Sequence, residues 1–110
     1  MDVLEVHDAF SINGVMALED LGFAKAGRGC ELLSEGQLEL DGDIPTNTFG
    51  GLKARGHPVG ATGAYQLVEI TWQLRGQADK NQVSGAEVGY AQSMGGMGSI
   101  VAAHILKRAD

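Results

Sequence analysis

Apolar positions along the chain fall into two kinds of run. Residues 3–6 (Val-Leu-Glu-Val), 86–92 and 99–106 are short, rich in apolar residues and bounded by glycine or polar clusters, which predicts strands. Two longer stretches have helical spacing. Over residues 9–21, Phe10, Ile12, Val15, Met16, Leu18 and Leu21 make a wide apolar face, so this helix is expected to be buried on more than one side. Asp8 is its expected N-cap and Gly22 its C-cap glycine. A second helix follows Pro58, which suits a first helical position. It carries Gly60, Gly63, Ala64, Leu67, Val68 and Leu74 on one side, widened by Ile70 and Trp72, and stops at Gly76.

Between the helices, residues 24–35 read as loop. Residues 37–40 read as a short strand, with a turn at Asp41-Gly42. The run 99–106 is almost continuously apolar and predicts a buried strand, entered through a sharp glycine-rich turn over residues 93–98. The element order predicts an α/β fold with a mixed β-sheet and buried helices. Such faces on one short chain also predict association. No internal repeat interrupts the order.

Composition narrows the class. A chain of 110 residues forms one compact domain or part of a larger one. Net charge is −6, which disfavours nucleic acid and anionic membrane surfaces as partners. Seventeen glycines are about twice the usual share, and many cluster around motifs, as loops lining a site would require. Cys30 is the single cysteine, which excludes an intrachain disulfide and a multi-cysteine metal site and suggests a reducing compartment. With no evident leader and no apolar run of membrane-spanning length, a cytoplasmic protein is expected.

The densest chemistry lies in residues 47–63, Asn-Thr-Phe-Gly-Gly-Leu-Lys-Ala-Arg-Gly-His-Pro-Val-Gly-Ala-Thr-Gly. Gly50 and Gly51 permit positive φ. His57 sits between Gly56 and Pro58 at the mouth of a helix. Gly60 and Gly63 leave room for another backbone. Taken alone, a histidine beside a proline reads as a turn that starts a packed helix. Two further corners stand at strand ends, His7-Asp-Ala-Phe10 and Ser93-Met-Gly-Gly96. In an α/β layer such corners commonly meet at one edge of the sheet, where ligands bind, although the pattern alone does not show that these three converge. Two imidazoles and a glycine turn there could move protons and stabilise an oxyanion.

The string Gly-His-Pro-Val-Gly-Ala-Thr-Gly, with Asn-Thr-Phe-Gly-Gly-Leu-Lys-Ala-Arg before it, resembles the histidine motif of the thiolase superfamily, nearest to the archaeal and sterol-carrier-protein types. The resemblance covers essentially the whole chain, so residues 1–110 are expected to be a thiolase C-terminal-like domain without the nucleophile-bearing N-terminal half. It implies an acyl-CoA thioester as substrate, no metal or redox cofactor, and Claisen condensation or thiolysis of a 3-oxoacyl-CoA. It further implies that His57 activates a nucleophilic cysteine and that His7, in a His-Asp-x-Phe motif, and Gly95 help stabilise oxyanions. Phe10, Gly56 and Met94 are the expected substrate-binding residues. The expected partner is an N-terminal thiolase half or a second copy, or else an OB-fold/zinc-ribbon acyl-CoA-binding protein.

The departures from that pattern shape the expectation equally. Ser93 and Ala9 stand where the family's second cysteine falls, and Cys30 matches neither cysteine. Two other readings follow. One is a thiolase-like aldolase of sterol side-chain breakdown, with Tyr90 as acid. The other is a non-catalytic assembly module. Tyr90 is otherwise core or rim packing. Met94 and Met97 fill gaps or line an acyl tunnel. Lys53 and Arg55 are solvated or meet a CoA phosphate. His104 is expected to be a satisfied structural histidine.

Overall fold

The structure, a computed structural model, describes residues 1–109. Its elements in order are β1 (Val3–Glu5), α1 (Ser11–Asp20), α2 (Gly29–Ser34), α3 (Gly51–Arg55), α4 (Thr62–Arg75), a 3-10 turn (Asp79–Asn81), β2 (Val88–Gly95) and β3 (Ile100–Lys107). The three strands form one mixed sheet in the order β1-β2-β3. β1 runs parallel to β2 with Val3 opposite Gly89, and β2 runs antiparallel to β3 with Gly95 opposite Ile100. A parallel pair needs a long crossover, which the helices supply.

Alternation along the strands splits the core in two. Val3 and Ala91 pack with Ile70 and Leu74 of α4, whereas Leu4, Val6 and Tyr90 pack with Ala17 and Leu18 of α1. Gly89 lies beneath α4, where any Cβ would run into Ile70. The α/β architecture, the mixed sheet and the approximate places of three strands and two long helices agree with the sequence reading.

Several local expectations fail for identifiable reasons. The first helix spans Ser11–Asp20 with Phe10 at its N-cap and no side-chain cap. Asp8 lies two residues too early, and its carboxylate instead accepts the Leu52 N–H at 2.8 Å, anchoring α3. The wide apolar face of α1 buries only Ala17 and Leu18, while Phe10, Ile12 and Met16 stay exposed. The stretch expected to be loop holds the short helix α2. Residues 37–40 are turns, because the Gln37 carbonyl accepts the Ile44 N–H and no strand lies alongside. The second long helix starts at Thr62, and Pro58 lies in the preceding turn, its carbonyl accepting N–H groups of Ala61 and Thr62. Gly60 faces open space, whereas Gly63 does sit against Ser93. The glycine-rich turn is shorter than expected, since β2 takes in Ser93, Met94 and Gly95.

Two corrections concern burial. β3 is packed against the helices only near Leu106, so most of its apolar residues lack cover and are exposed: Ile100 by 69%, Val101 by 52% and Ile105 by 68%. On α4, the buried stripe includes Thr62, Gln66, Glu69 and Gln73, while Tyr65, Val68 and Trp72 remain partly exposed. The amide N–H groups among them find partners, while Gln66 Oε1 and Glu69 Oε2 have none. Gln66 Nε2 donates to the Gln92 carbonyl at 2.8 Å. Gln73 Nε2 donates to the Asn81 carbonyl at 2.6 Å, and its Oε1 accepts the Val83 N–H at 2.8 Å.

Candidate active site

The three corners do meet. His7 follows β1, His57 follows α3, and Met94 and Gly95 end β2, and all four line one open cavity of about 640 Å³. The imidazoles of His7 and His57 stand edge to face, with centroids 4.9 Å apart and planes at 86°. Phe10, Val59 and Met97 add an apolar rim. Gly56 is exposed and is not among the lining residues, so the structure does not group it with Phe10 and Met94.

Each corner is held from behind. Asn47, in a positive-φ conformation, accepts the Val6 N–H at 2.8 Å and donates to the Val6 carbonyl at 3.3 Å. It thereby extends pairing beyond the last residue of β1. The His7 N–H donates to Gln92 Oε1 at 3.2 Å, which ties the first corner to β2. Gly51 has φ +63° and lies so close to Asp8 that a Cβ would collide with its carboxylate, so both backbone and space demand glycine there.

His7 is buried, and its Nδ1 has no protein partner. Burial, and then the neighbouring His57, hold its pKa below the usual histidine value, so it favours the neutral form. His57 is exposed to the cavity. Its Nδ1 lies 2.6 Å from Thr62 Oγ1, and that hydroxyl lies 3.2 Å from the Pro58 carbonyl. One arrangement satisfies both contacts: the Thr62 hydroxyl donates to the Pro58 carbonyl and accepts a hydrogen bond from Nδ1–H. In the neutral ring this arrangement puts the hydrogen on Nδ1 and the lone pair on Nε2, as a base requires.

Below this pair, Glu5 is 1% exposed and lies near Glu69 and Arg55. Burial, and then the charge of Glu69, raise the Glu5 pKa well above the carboxylate range. Glu5 is therefore read as the protonated partner and Glu69 as the carboxylate paired with Arg55. Because the folded state raises this pKa, its contribution to stability is full below the ordinary carboxyl pKa and is lost as pH rises. Glu5→Gln should accordingly be at least as stable as the wild type near pH 8, with that advantage fading toward about pH 4. Urea unfolding across this range checks it. An equal loss at every pH would show that Glu5 is not protonated.

The other candidates separate clearly. Cys30 is exposed on α2 and does not line the histidine cavity. Tyr90 is in the core, 8% exposed, and does not line the cavity either. Ser93 packs against Gly63 and is absent from the lining. Met94 lines the cavity and accepts a 3.6 Å hydrogen bond from Asn13 at its sulfur. Arg55 is neither solvated nor open to a phosphate: its side chain is 16% exposed, beside Glu69 and over the Tyr65 ring. Lys53 is exposed beside a different cavity. His104 is exposed on β3 rather than buried and satisfied.

Sequence reasoning missed Asn47, Thr62, Glu5 and Glu69. The recurrence of Thr62, Gln66, Glu69 and Gln73 at helical spacing was the available signal for a polar buried face.

Fold and cavity together define a thiolase-like class of α/β protein. Residues 1–108 match the family described as Thiolase C-terminal domain-like, and the chain belongs to that family. It is 56% identical over 108 residues to an acetyl-CoA acetyltransferase of Methanothermobacter thermautotrophicus, covering 98% of this chain and 28% of the relative. It is 44% identical over 101 residues to human sterol carrier protein 2, covering 92% and 18% respectively. A solved structure named Ltp2-ChsH2(DUF35) aldolase superposes with a TM-score of 0.84 at 26% identity, covering 98% of this chain and 27% of that one. The chain thus spans roughly a quarter or less of the length of these relatives. Among the described residues, no helix is long and apolar enough to cross a membrane.

Proposed function

We propose that this chain is the C-terminal portion of a thiolase-like acyltransferase, acting on 3-oxoacyl-CoA by thiolysis or, in reverse, by Claisen condensation. The observation that carries this reading is the convergence of His7, His57 and Gly95 on one cavity, with His57 Nε2 left free by the Thr62 contact. A cysteine from an N-terminal half, on the same or another polypeptide, would give its thiol proton to His57 Nε2. The thiolate then adds to the 3-oxo carbon to give an alkoxide that the imidazolium N–H would stabilise. His7 and the backbone at Gly95 serve the same end. As the carbonyl re-forms, the C2–C3 bond breaks and the departing acetyl-CoA carbanion takes up a proton. The thiol of a second CoA, losing its proton, then displaces the cysteine sulfur from the acyl group. Phe10 and Met94 line the acyl path. No metal or redox group has a role in this chemistry; the CoA thioester is the substrate.

The exposed apolar strand β3 supports docking on such a half or on a second copy, because an uncovered face of this kind favours association. An OB-fold/zinc-ribbon acyl-CoA-binding protein is the alternative partner, and the cytoplasm is the expected setting.

The test is recombination of this chain with the Cys-bearing N-terminal portion of the Methanothermobacter acetyltransferase. The readout is CoA-dependent cleavage of acetoacetyl-CoA. Activity in the mixture, absent from either piece and lost when the partner's nucleophilic cysteine is replaced, is the expected result. A stable complex that cleaves nothing would reduce the chain to an assembly module. A thiolase-like aldolase is the second reading, favoured by the likeness to the Ltp2-ChsH2(DUF35) aldolase. The burial of Tyr90 in the core counts against Tyr90 as its acid. Carbonyl release without consumption of CoA would favour the aldolase.

A further inference from the structure

The loop that carries His57 is fastened to one helix at both of its ends. At its start, Arg55 Nε stands 3.3 Å from Glu69 Oε1, and the guanidinium lies 5.6 Å above the Tyr65 ring centroid. Both partners belong to α4. At its finish, His57 Nδ1 meets Thr62, the first residue of the same helix. Gly56, with φ +87° and ψ 176°, separates Arg55 from His57, so the loop is loose on that side while Pro58 restricts the His57 backbone on the other. A histidine exposed on such a loop needs an anchor to hold one orientation. The buried guanidinium is the group positioned to provide it, two residues away.

We infer that Arg55 is a positioning residue for His57: paired with Glu69 and stacked on Tyr65, it sets the base of the loop so that Nδ1 reaches Thr62 and Nε2 faces the cavity. The buried carboxyl of Glu5, from β1, lies behind the pair. The groups around Arg55 are Glu69 and Tyr65 of α4, Glu5 of β1 and His7, with Asp8 near both carboxyls, and those beside His57 are His7 and Thr62. This inference deepens the acyl-transfer reading, because it says what holds that site's imidazole, yet it is measurable without turnover.

The experiment is ¹⁵N spectroscopy of the histidine rings in this chain near neutral pH. In the wild type His57 is expected as the Nδ1–H tautomer. In Arg55→Met the Nδ1–H to Nε2–H ratio should fall several-fold, with the same loss in Thr62→Val, while Arg55→Lys restores most of it. Glu69→Gln, nearly isosteric and neutral, should shift the ratio in the same direction and serves if Arg55→Met does not fold. A folded Arg55→Met or Glu69→Gln chain with the wild-type tautomer would overturn the inference. An inactive recombined wild type with these spectra intact would remove the acyl-transfer reading and leave the positioning role standing.

Discussion

His57→Ala should lower the rate of acetoacetyl-CoA thiolysis by about 10²–10⁴-fold once the chain is recombined with a Cys-bearing N-terminal half. A thiol near its ordinary pKa is mostly protonated at neutral pH, so an attack that depends on thiolate suffers when its base is removed. Both imidazoles line the cavity, but His57 is the exposed one and its Nδ1 is engaged by Thr62, whereas His7 is buried and its pKa is lowered by that burial. Lys80→Ala, on the exposed 3-10 turn away from the cavity, should leave the rate unchanged within a factor of two or so. The loss should fall on kcat more than on KM, because the proton moves in the chemical step. Retention of the rate within a few-fold would remove His57 from the role of base.

The second large effect is structural. Gln73→Leu fills about the same space with an apolar side chain, and a helix reading that puts hydrophobic residues inside would expect it to stabilise. The opposite should occur, by about 3 kcal/mol, because the buried Val83 N–H and the Asn81 carbonyl lose their partner together. Urea unfolding of the chain should show a lower midpoint with an unchanged slope. The same change at the exposed Gln77 should move the midpoint by no more than about 0.5 kcal/mol equivalent. A neutral Gln73→Leu would mean that water replaces the amide at no cost.

What the sequence made legible follows from how local each signal is. β1 and α1 were visible because their apolar residues lie in short, continuous stretches, and the corner at His7 follows from where the first ends. The meeting of His7, His57 and Gly95 was expected from the resemblance to the thiolase superfamily, since strand-end logic alone does not bring them together, and the geometry places them around one cavity. The N-cap at Asp8 failed because an aspartate near a helix start has competing uses. Here the competitor is the Leu52 N–H, far along the chain. The burial of β3 failed for a different reason. An apolar run states that a strand prefers cover, but it does not state what supplies the cover. α4 was misread because apolar residues were assigned to its inner face, although amides and a carboxylate hold much of that position. Their satisfaction depends on distant partners such as Gln92 and Val83, which no local pattern reveals.

The amide stripe of α4 has a consequence for precision. A helix seated on aliphatic side chains can slide or rotate slightly at small cost, since dispersion contacts re-form after each step. A helix keyed by Gln66 to the Gln92 carbonyl and by Gln73 to the Asn81 and Val83 backbone fits in one register only. With its screw position locked, the gap between the imidazole loop at its head and the end of β2 becomes a fixed dimension.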